Sequence, residues 1–488
     1  MPAPAGERRA RALTATALVL LVGVGLAGES AAVPPLGPRG WAPGALAWTL
    51  SPAVVTGVLV AAYGLGAAGV WLGVRAQRAW PRWAVALLGL GALLTMPFGS
   101  ADHTNYAAYG RIALLGGDPY IESPVAWAGG TDPVTSGVQP PWQETPSIYG
   151  PLATLLQLGA AWVGGDNLRQ VVWVWQVLVV AAWLMTRWLL RRLFPDAHGR
   201  IDALWTMNPI LVGTAVLGAH VDTMATAFMV AALVLARRRG TRWALATGVI
   251  CALAAMVKVT AGVALLAIAL GWLLEAHRAG SRPRSVLARV GILVLGALLV
   301  ALPLQLWAGG SAYAQLGRSR RSISLATPWR QVYEWFGGHL PDATWRSLVF
   351  ALAAATCLLL AALGWRVLRD RVPDLGAPLV LALSLSMAYA VGAPYVLPWY
   401  DQLVWALLPG VALAAGGLLT RVWLVRGLIL ALAYVPGRVV GLTPGVESLT
   451  LLFRREIAPI AALLVWGALV LLARRATNGD LPSHDQLR

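Results

Sequence analysis

The chain has 488 residues, 58% of them hydrophobic and 12% charged, with a formal net charge of +17. A soluble domain carries about a quarter charged residues, so this composition, with a mean hydropathy of +0.67, excludes a soluble enzyme and puts most of the chain in lipid. The positive charge does not point to nucleic acid: the arginines fall in short clusters between apolar runs, as in the cytoplasmic loops of a polytopic membrane protein.

Taken in order, Arg8-Arg-Ala-Arg11 followed by the apolar run 12–28 has the form of a signal peptide. It serves equally as an uncleaved first span, the reading adopted here. The further candidate spans are 53–73, 83–98, 170–190, 202–218, 222–236, 243–257, 259–274, 286–307, 346–366, 376–397, 401–420, 422–436 and 457–473. The run 243–274 is divided at Lys258, because 32 residues of continuous helix would reach about 48 Å, well beyond a bilayer core. The run 151–164 is short and opens Gly-Pro, so it is read as an interfacial helix lying along the membrane. This gives about fourteen transmembrane helices in one domain, 1–476, followed by a polar tail, 477–488, expected to be disordered and cytoplasmic.

Orientation follows the arginines. Those at 8–11, 75–82, 187–200, 237–242, 278–289, 366–371, 421–426 and 474–475 fall on one side, so both termini are expected in the cytoplasm. The polar interruptions then lie outside: the first loop, 99–169, Ala219-His-Val-Asp222, Lys258, a second large loop, 308–345, Pro398-Trp-Tyr-Asp401, and 437–456. Cys251 and Cys357 lie in apolar runs and give no disulfide framework or metal spacing.

Asp102 follows a span and precedes a predicted helix, 103–116, on which Tyr106 and Tyr109 share a face. It is a candidate general base for a hydroxyl, and a helix cap is the alternative. His220 and Asp222 in a tight hairpin suit hydroxyl or phosphate contacts, or a turn in which Asp222 caps the next helix. Lys258, the chain's single lysine, interrupts an apolar run, where an ionisable group is a functional candidate. Snorkelling to the membrane surface is its alternative. Arg318, Arg320 and Arg321 form a dense outer cluster against the positive-inside rule; their forked donors suit a lipid-linked phosphate. His103, Tyr106, Arg111, Tyr149 and Tyr400 complete the expected substrate-binding set. Trp142, Trp329, Trp335, Trp399 and Tyr400 suit an interfacial belt, and the outer ones could also stack on sugar. No cofactor is expected, although Asp102, His103, His220 and Asp222 could converge on a divalent cation. No Walker loop or Gly-x-Ser-x-Gly elbow is present.

The elements Asp102…Asn-Tyr-Ala-Ala-Tyr-Gly-Arg…Gly-Gly-Asp-Pro-Tyr120 and Ser147-Ile-Tyr-Gly-Pro-Leu152 resemble the first periplasmic loop of actinobacterial polyprenol-phosphate-mannose-dependent α-1,6-mannosyltransferases. Asn208-Pro209, Gly218-Ala-His-Val-Asp222, Ala254-Ala-Met-Val-Lys258 and Pro398-Trp-Tyr400 extend the likeness over roughly 95 to 420. The resemblance implies an all-α, multi-pass glycosyltransferase of the GT-C type in the bacterial plasma membrane, with its active site outside. It implies a polyprenyl-phosphate-linked mannose donor, a growing α-1,6-mannan glycolipid acceptor of lipomannan synthesis, and an inverting mechanism with Asp102 as base. In such families the loop motif often carries two acidic residues, where this chain has Asp102-His103. The competing readings are a flippase or transporter for a lipid-linked sugar, and an enzyme of the same type using arabinofuranose or glucose.

Overall fold

The computed structural model describes residues 5–477 apart from 77, 281, 316, 318–321, 338, 370–374 and 412. The chain is all-helical. Helices α1 (Ala5–Ala27), α2 (Pro52–Gly73) and α3 (Arg82–Leu94) lead into the first loop, which is built on α4 (Asp102–Leu114) and α5 (Pro151–Gly164). There follow α6 (Leu168–Leu193), the short α7 (His198–Ile201) and α8 (Pro209–Leu211), then α9 (Asp222–Ala236), α10 (Thr241–Val257), α11 (Val263–Arg278) and α12 (Pro283–Ala308). The remainder comprises α13 (Pro328–Phe336), α14 (Asp342–Leu368), α15 (Gly376–Gly392), α16 (Gln402–Leu407), α17 (Leu413–Ala433), α18 (Pro444–Leu452) and α19 (Ala458–Thr477).

Seven of the described helices are long and apolar enough to cross a membrane, and the shorter apolar ones include α3, α5, α9, α10 and α15. The fourteen segments read from the sequence therefore include short and interrupted ones. On α12 and α14, Leu298, Leu302, Leu306, Leu358 and Leu359 are all exposed. In water such apolar walls would be a liability; in a multi-pass membrane protein they face lipid chains. With lipid as solvent, close packing must supply helix association. Where α10 crosses α12, a Cβ on Gly248 would lie 1.9 Å from the Leu293 carbonyl oxygen, and one on Gly296 2.2 Å from that of Leu245.

The division at Lys258 is present: this residue is extended (φ −148°, ψ 123°) between α10 and a 3-10 turn that starts α11. Two segments depart from the sequence reading. The predicted span 202–218 is an interrupted path of α7, a π-turn at Asp202–Thr206, α8 and a second π-turn at Val212–Val216. Pro209, which lacks an N–H, follows the break, and Asn208 Oδ1 accepts from the Ile210 N–H. Gln176 of α6 and Trp175 beside it donate to the Val216 and Ala219 carbonyls, satisfying backbone that the broken helix leaves open. The second departure concerns 401–436. The helical run breaks after α16 at Leu408-Pro-Gly410, and α17 then continues through the expected boundary near Arg421. Arg426 is consequently no loop residue; it is buried and bonded to the Asp401 carboxylate and the Ala390 carbonyl.

The two ends of α1 fix the polarity of the bundle. At its start, Arg11 donates to the Arg78 and Ala79 carbonyls, while the Trp80 N–H, Arg187 and Arg191 converge on buried Asp202. Beyond its other end, the Ala31 and Ala32 carbonyls accept from the backbone N–H groups of Arg438 and Gly99. A 23-residue helix separates these sets by about 35 Å. The arginine clusters at 8–11, 75–82 and 187–200 thus share the end opposite Asp102.

Candidate active site

Helix α4 is the platform of the site. Its composition is polar, yet every residue from His103 to Ile112 is buried, so protein encloses it on all sides. Arg111 locks it in place by ion pairs to Asp132 (2.9 Å) and Asp166 (2.6 Å). The Asp-Pro-Tyr element ties the two outer loops together. Asp118 accepts from the Tyr120 N–H and from the Ser311 hydroxyl, and the Tyr120 hydroxyl meets that of Thr154 at 2.8 Å. The Tyr-Gly-Pro-Leu element brings α5 against α10: the Gly150 N–H donates to the Val257 carbonyl, and a Cβ on Gly150 would stand 2.2 Å from the Met256 oxygen. That contact needs glycine, and it sets α5 beside Lys258.

Asp102 begins α4 without capping it. Ala101 holds the cap position with no side-chain bond, and the Asp102 N–H itself donates to Ser100 Oγ. Its carboxylate is free to face outward, with Oδ2 3.6 Å from His220 Nδ1. His220 is buried; its Nε2 is 3.3 Å from Ser100 Oγ and its ring stacks on Trp399 at 3.5 Å. The backbone before it is strained: Ala219 sits at φ +54°, a left-handed position that non-glycine residues rarely adopt. Its carbonyl is fixed by the Trp175 indole. Burial raises the Asp102 carboxyl from the usual carboxylate range to about 7, opposed by Lys258 and reinforced by Asp222. Burial also keeps both His103 and His220 well below the usual histidine range, hence neutral.

Two cavities meet at Asp102, sharing Trp142, Tyr395, Leu397 and Trp399 as walls. One, of about 110 Å³, is bounded by Tyr109, Tyr149, Tyr400 and Lys258. The Lys258 ammonium bonds Asp222 at 2.6 Å and stands 3.7 Å over the Tyr400 ring. The other, of about 220 Å³, is bounded by Gln139, Arg438 and Arg454. An ionisable carboxylate poised near neutrality, between an aromatic chamber and a basic one, can take a proton from a hydroxyl while anionic groups are held nearby.

The match to a family model of residues 10–274, described as the MptA_B family, alpha-(1->6)-mannopyranosyltransferase, N-terminal domain, covers more than half of the chain. The chain belongs to this family. Among its relatives, a probable alpha-(1->6)-mannopyranosyltransferase of Mycolicibacterium smegmatis is 28% identical, the match covering 80% of this chain and 73% of the relative. Alpha-(1->6)-mannopyranosyltransferase B of Corynebacterium glutamicum is 24% identical over 83% of this chain and 67% of its own. A solved structure, ArnT from Cupriavidus metallidurans bound to undecaprenyl phosphate, aligns with 86% of this chain and 77% of its own at 15% identity and a TM-score of 0.32. With the family match and the seven described helices long and apolar enough to cross a membrane, this member of the mannopyranosyltransferase family is a multi-pass membrane glycosyltransferase.

Not every residue picked from its sequence reaches the cavities. Asp102, Tyr149, Lys258 and Tyr400 line them, and Asp222 stands behind Lys258. His220 lies beneath Asp102, shut off from the open space. His103 is wholly buried with neither ring nitrogen bonded. Tyr106 is a core residue, its ring 5.1 Å from those of Tyr149 and Trp175, and Arg111 is spent on its two ion pairs. Arg318, Arg320 and Arg321 lie outside the described residues. Among the described residues no three His, Cys, Asp or Glu side chains are gathered as a metal set; Asp222, one of the four candidate ligands, is bonded to Lys258. Arg438 and Arg454 were legible but overlooked: both fall in the loop 437–456, which the sequence predicts to lie outside, against the same charge rule that singled out Arg318–Arg321.

Proposed function

We propose that this protein transfers mannose from polyprenyl-phosphate mannose to a growing α-1,6-mannan glycolipid on the outer face of the plasma membrane, with Asp102 as general base. The observation that carries the reading is Asp102 itself, a half-buried carboxylate with a pKa near 7 at the junction of two chambers. In the reaction, an acceptor hydroxyl oxygen bonds to the anomeric carbon while the bond from that carbon to the phosphate oxygen breaks. The hydroxyl proton passes to Asp102, and polyprenyl phosphate leaves with the bonding electrons. Attack opposite a β-linked phosphate gives the α-linkage. The leaving phosphate is already a stable anion, so no general acid is required; cationic groups at the cavities oppose its growing charge. His220 packs behind the Asp102 carboxylate, its Nδ1 3.6 Å from Oδ2 and without a hydrogen bond to it. The reading requires no metal ion.

Membrane fractions incubated with radiolabelled polyprenyl-phosphate mannose and a short α-1,6-mannoside test this. Wild type should elongate the acceptor, and Asp102→Asn should lose about 10²–10⁴-fold of that rate, the usual contribution of a general base. Equal transfer by both would remove Asp102 as the base. Absence of transfer by wild type, with movement of the lipid-linked sugar across vesicles in its place, would replace the enzyme with a flippase.

A further inference from the structure

We infer that the two cavities meeting at Asp102 are divided by charge, the Arg438/Arg454 cavity taking the phosphate of an isoprenoid-phosphate sugar and the Lys258 cavity taking the uncharged acceptor sugar. This rests on the proposed function for the identity of the substrates, but the division itself comes from how each cation is already paired.

Lys258 is the cation that the sequence points to, and the structure gives it a partner. Its ammonium forms a 2.6 Å ion pair with Asp222 and covers the Tyr400 ring. A phosphate brought there would meet a pair with no net charge, with the Asp102 carboxylate also in the lining. The walls around it are rings, those of Tyr109, Trp142, Tyr149 and Tyr400. One face of Trp399 is taken by His220. Aromatic faces with a few hydroxyls suit the CH faces and hydroxyls of a neutral sugar.

The second cavity is different. Asp102 is the one acidic residue among the described lining of either cavity, and here it is accompanied by two arginines, Arg438 and Arg454. Arg438 is held by neutral acceptors, Gln139 Oε1 at 3.0 Å, the Ser30 carbonyl at 2.6 Å and, more loosely, the Val33 carbonyl at 3.4 Å. Glu29 acts on it through space. Arg454 donates its Nε–H to the Ala433 carbonyl, with the guanidinium 4.3 Å over the Tyr434 ring. Both guanidinium groups are thus positioned by neutral contacts and keep their charge for an anion, the geometry in which Arg grips phosphate. The path of a lipid tail is also marked. Arg454 lies two residues beyond Leu452, the last of α18, in which Leu449 and Leu452 are 52% exposed, and precedes Ile457 at 43%. In a membrane protein this apolar strip offers the isoprenoid chain a surface continuous with its phosphate site.

The test measures binding of sugar-free polyprenyl phosphate to the full-length protein in detergent, by quenching of its tryptophan fluorescence. Arg454→Gln and Arg438→Gln are each expected to raise the Kd at least tenfold, whereas Lys258→Gln should leave it within about twofold. If Arg454→Gln is not monodisperse, Arg454→Lys serves instead, since it keeps the charge, loses the fork and should bind at an intermediate level. In transfer assays Tyr149→Phe and Tyr400→Phe should raise the KM for the mannoside and leave that for the donor. A tenfold excess of phosphatidylglycerol should not displace the ligand; equal displacement would make this a site for bulk phospholipid and overturn the inference. So would loss of polyprenyl phosphate binding in Lys258→Gln with retention in both arginine variants. A wild type that binds through Arg454 but transfers no mannose would instead sink the proposed function and leave the phosphate site standing.

Discussion

At the scale of the residue, Asp102 poses a problem that its chemistry resolves: a carboxylate largely enclosed by protein is disfavoured as an anion, yet a base must be an anion to work. Burial lifts its pKa to about 7, with Lys258 pulling the other way, so near neutrality the group is both ionisable and basic enough to accept a proton. Two consequences separate function from fold. The rate should follow the ionised fraction, so kcat/KM falls about tenfold per pH unit below 7 and flattens above it; a profile flat down to pH 5 would exclude Asp102 as the titrating base. For stability the sign is opposite. A carboxyl whose folded pKa exceeds its unfolded value favours the fold when protonated, and that contribution is lost as pH rises through about 7. Asp102→Asn should therefore melt no lower than wild type at pH 8, and the difference should vanish near pH 4, as read by thermal unfolding in detergent. Asp102 could be read from the sequence because a charge beside an apolar run is conspicuous. His103 was misplaced for the same reason: in sequence a polar residue looks available, and only packing shows that its ring faces the interior.

At the scale of the element, the sequence yields what backbone chemistry dictates locally. Helix α4, the start of α5 at Gly150-Pro151 and the break at Lys258 all follow from polar interruption, proline and length. The path 202–218 does not, because hydropathy reports burial and is blind to whether the buried backbone is regular. Here Asn208-Pro209 marked the break, and the side chains of Trp175 and Gln176 on another helix made it tolerable. Gly150 shows how such local features set the site. Its N–H bond to Val257 and its contact with Met256 place α5 against the end of α10, one residue before Lys258. In Gly150→Ala the new Cβ would meet the Met256 oxygen, and overpacking of this kind costs about 1–3 kcal/mol. The variant should unfold several degrees lower and lose transfer by tenfold or more. A substitution that lowers neither would mean that the α5–α10 contact does not support the Lys258 chamber. Gly159, whose Cβ would meet nothing, is the matched control.

At the scale of the whole molecule, the distribution of charge along the chain predicts the topology. Three of the arginine clusters that the positive-inside rule assigns to one side, 8–11, 75–82 and 187–200, gather at one end of the bundle, around Asp202 and the start of α1. Of the arginines in the loops expected outside, Arg111 is spent on ion pairs, while Arg438 and Arg454 border a cavity at the other end. Arg426 obeys neither description, because a buried arginine satisfied by Asp401 and a carbonyl pays no heed to which loop it is near; a rule about exposed charge cannot place it. The orientation that follows is open to direct measurement. Cys251 is buried and Cys357 half-buried, so replacing both with alanine gives a background for single reporters. Ala126→Cys lies exposed in the Asp102 loop, and Thr241→Cys lies exposed at the start of α10, among Arg237–Arg239 and Arg242. With a membrane-impermeant maleimide on intact cells, Ala126→Cys should be labelled and Thr241→Cys should react only after the membrane is opened. The reverse pattern would turn the molecule over, putting the Asp102 cavities in the cytoplasm and the arginine clusters outside. The charge rule would then fail for this chain, and an acceptor on the outer surface would have no route to its base.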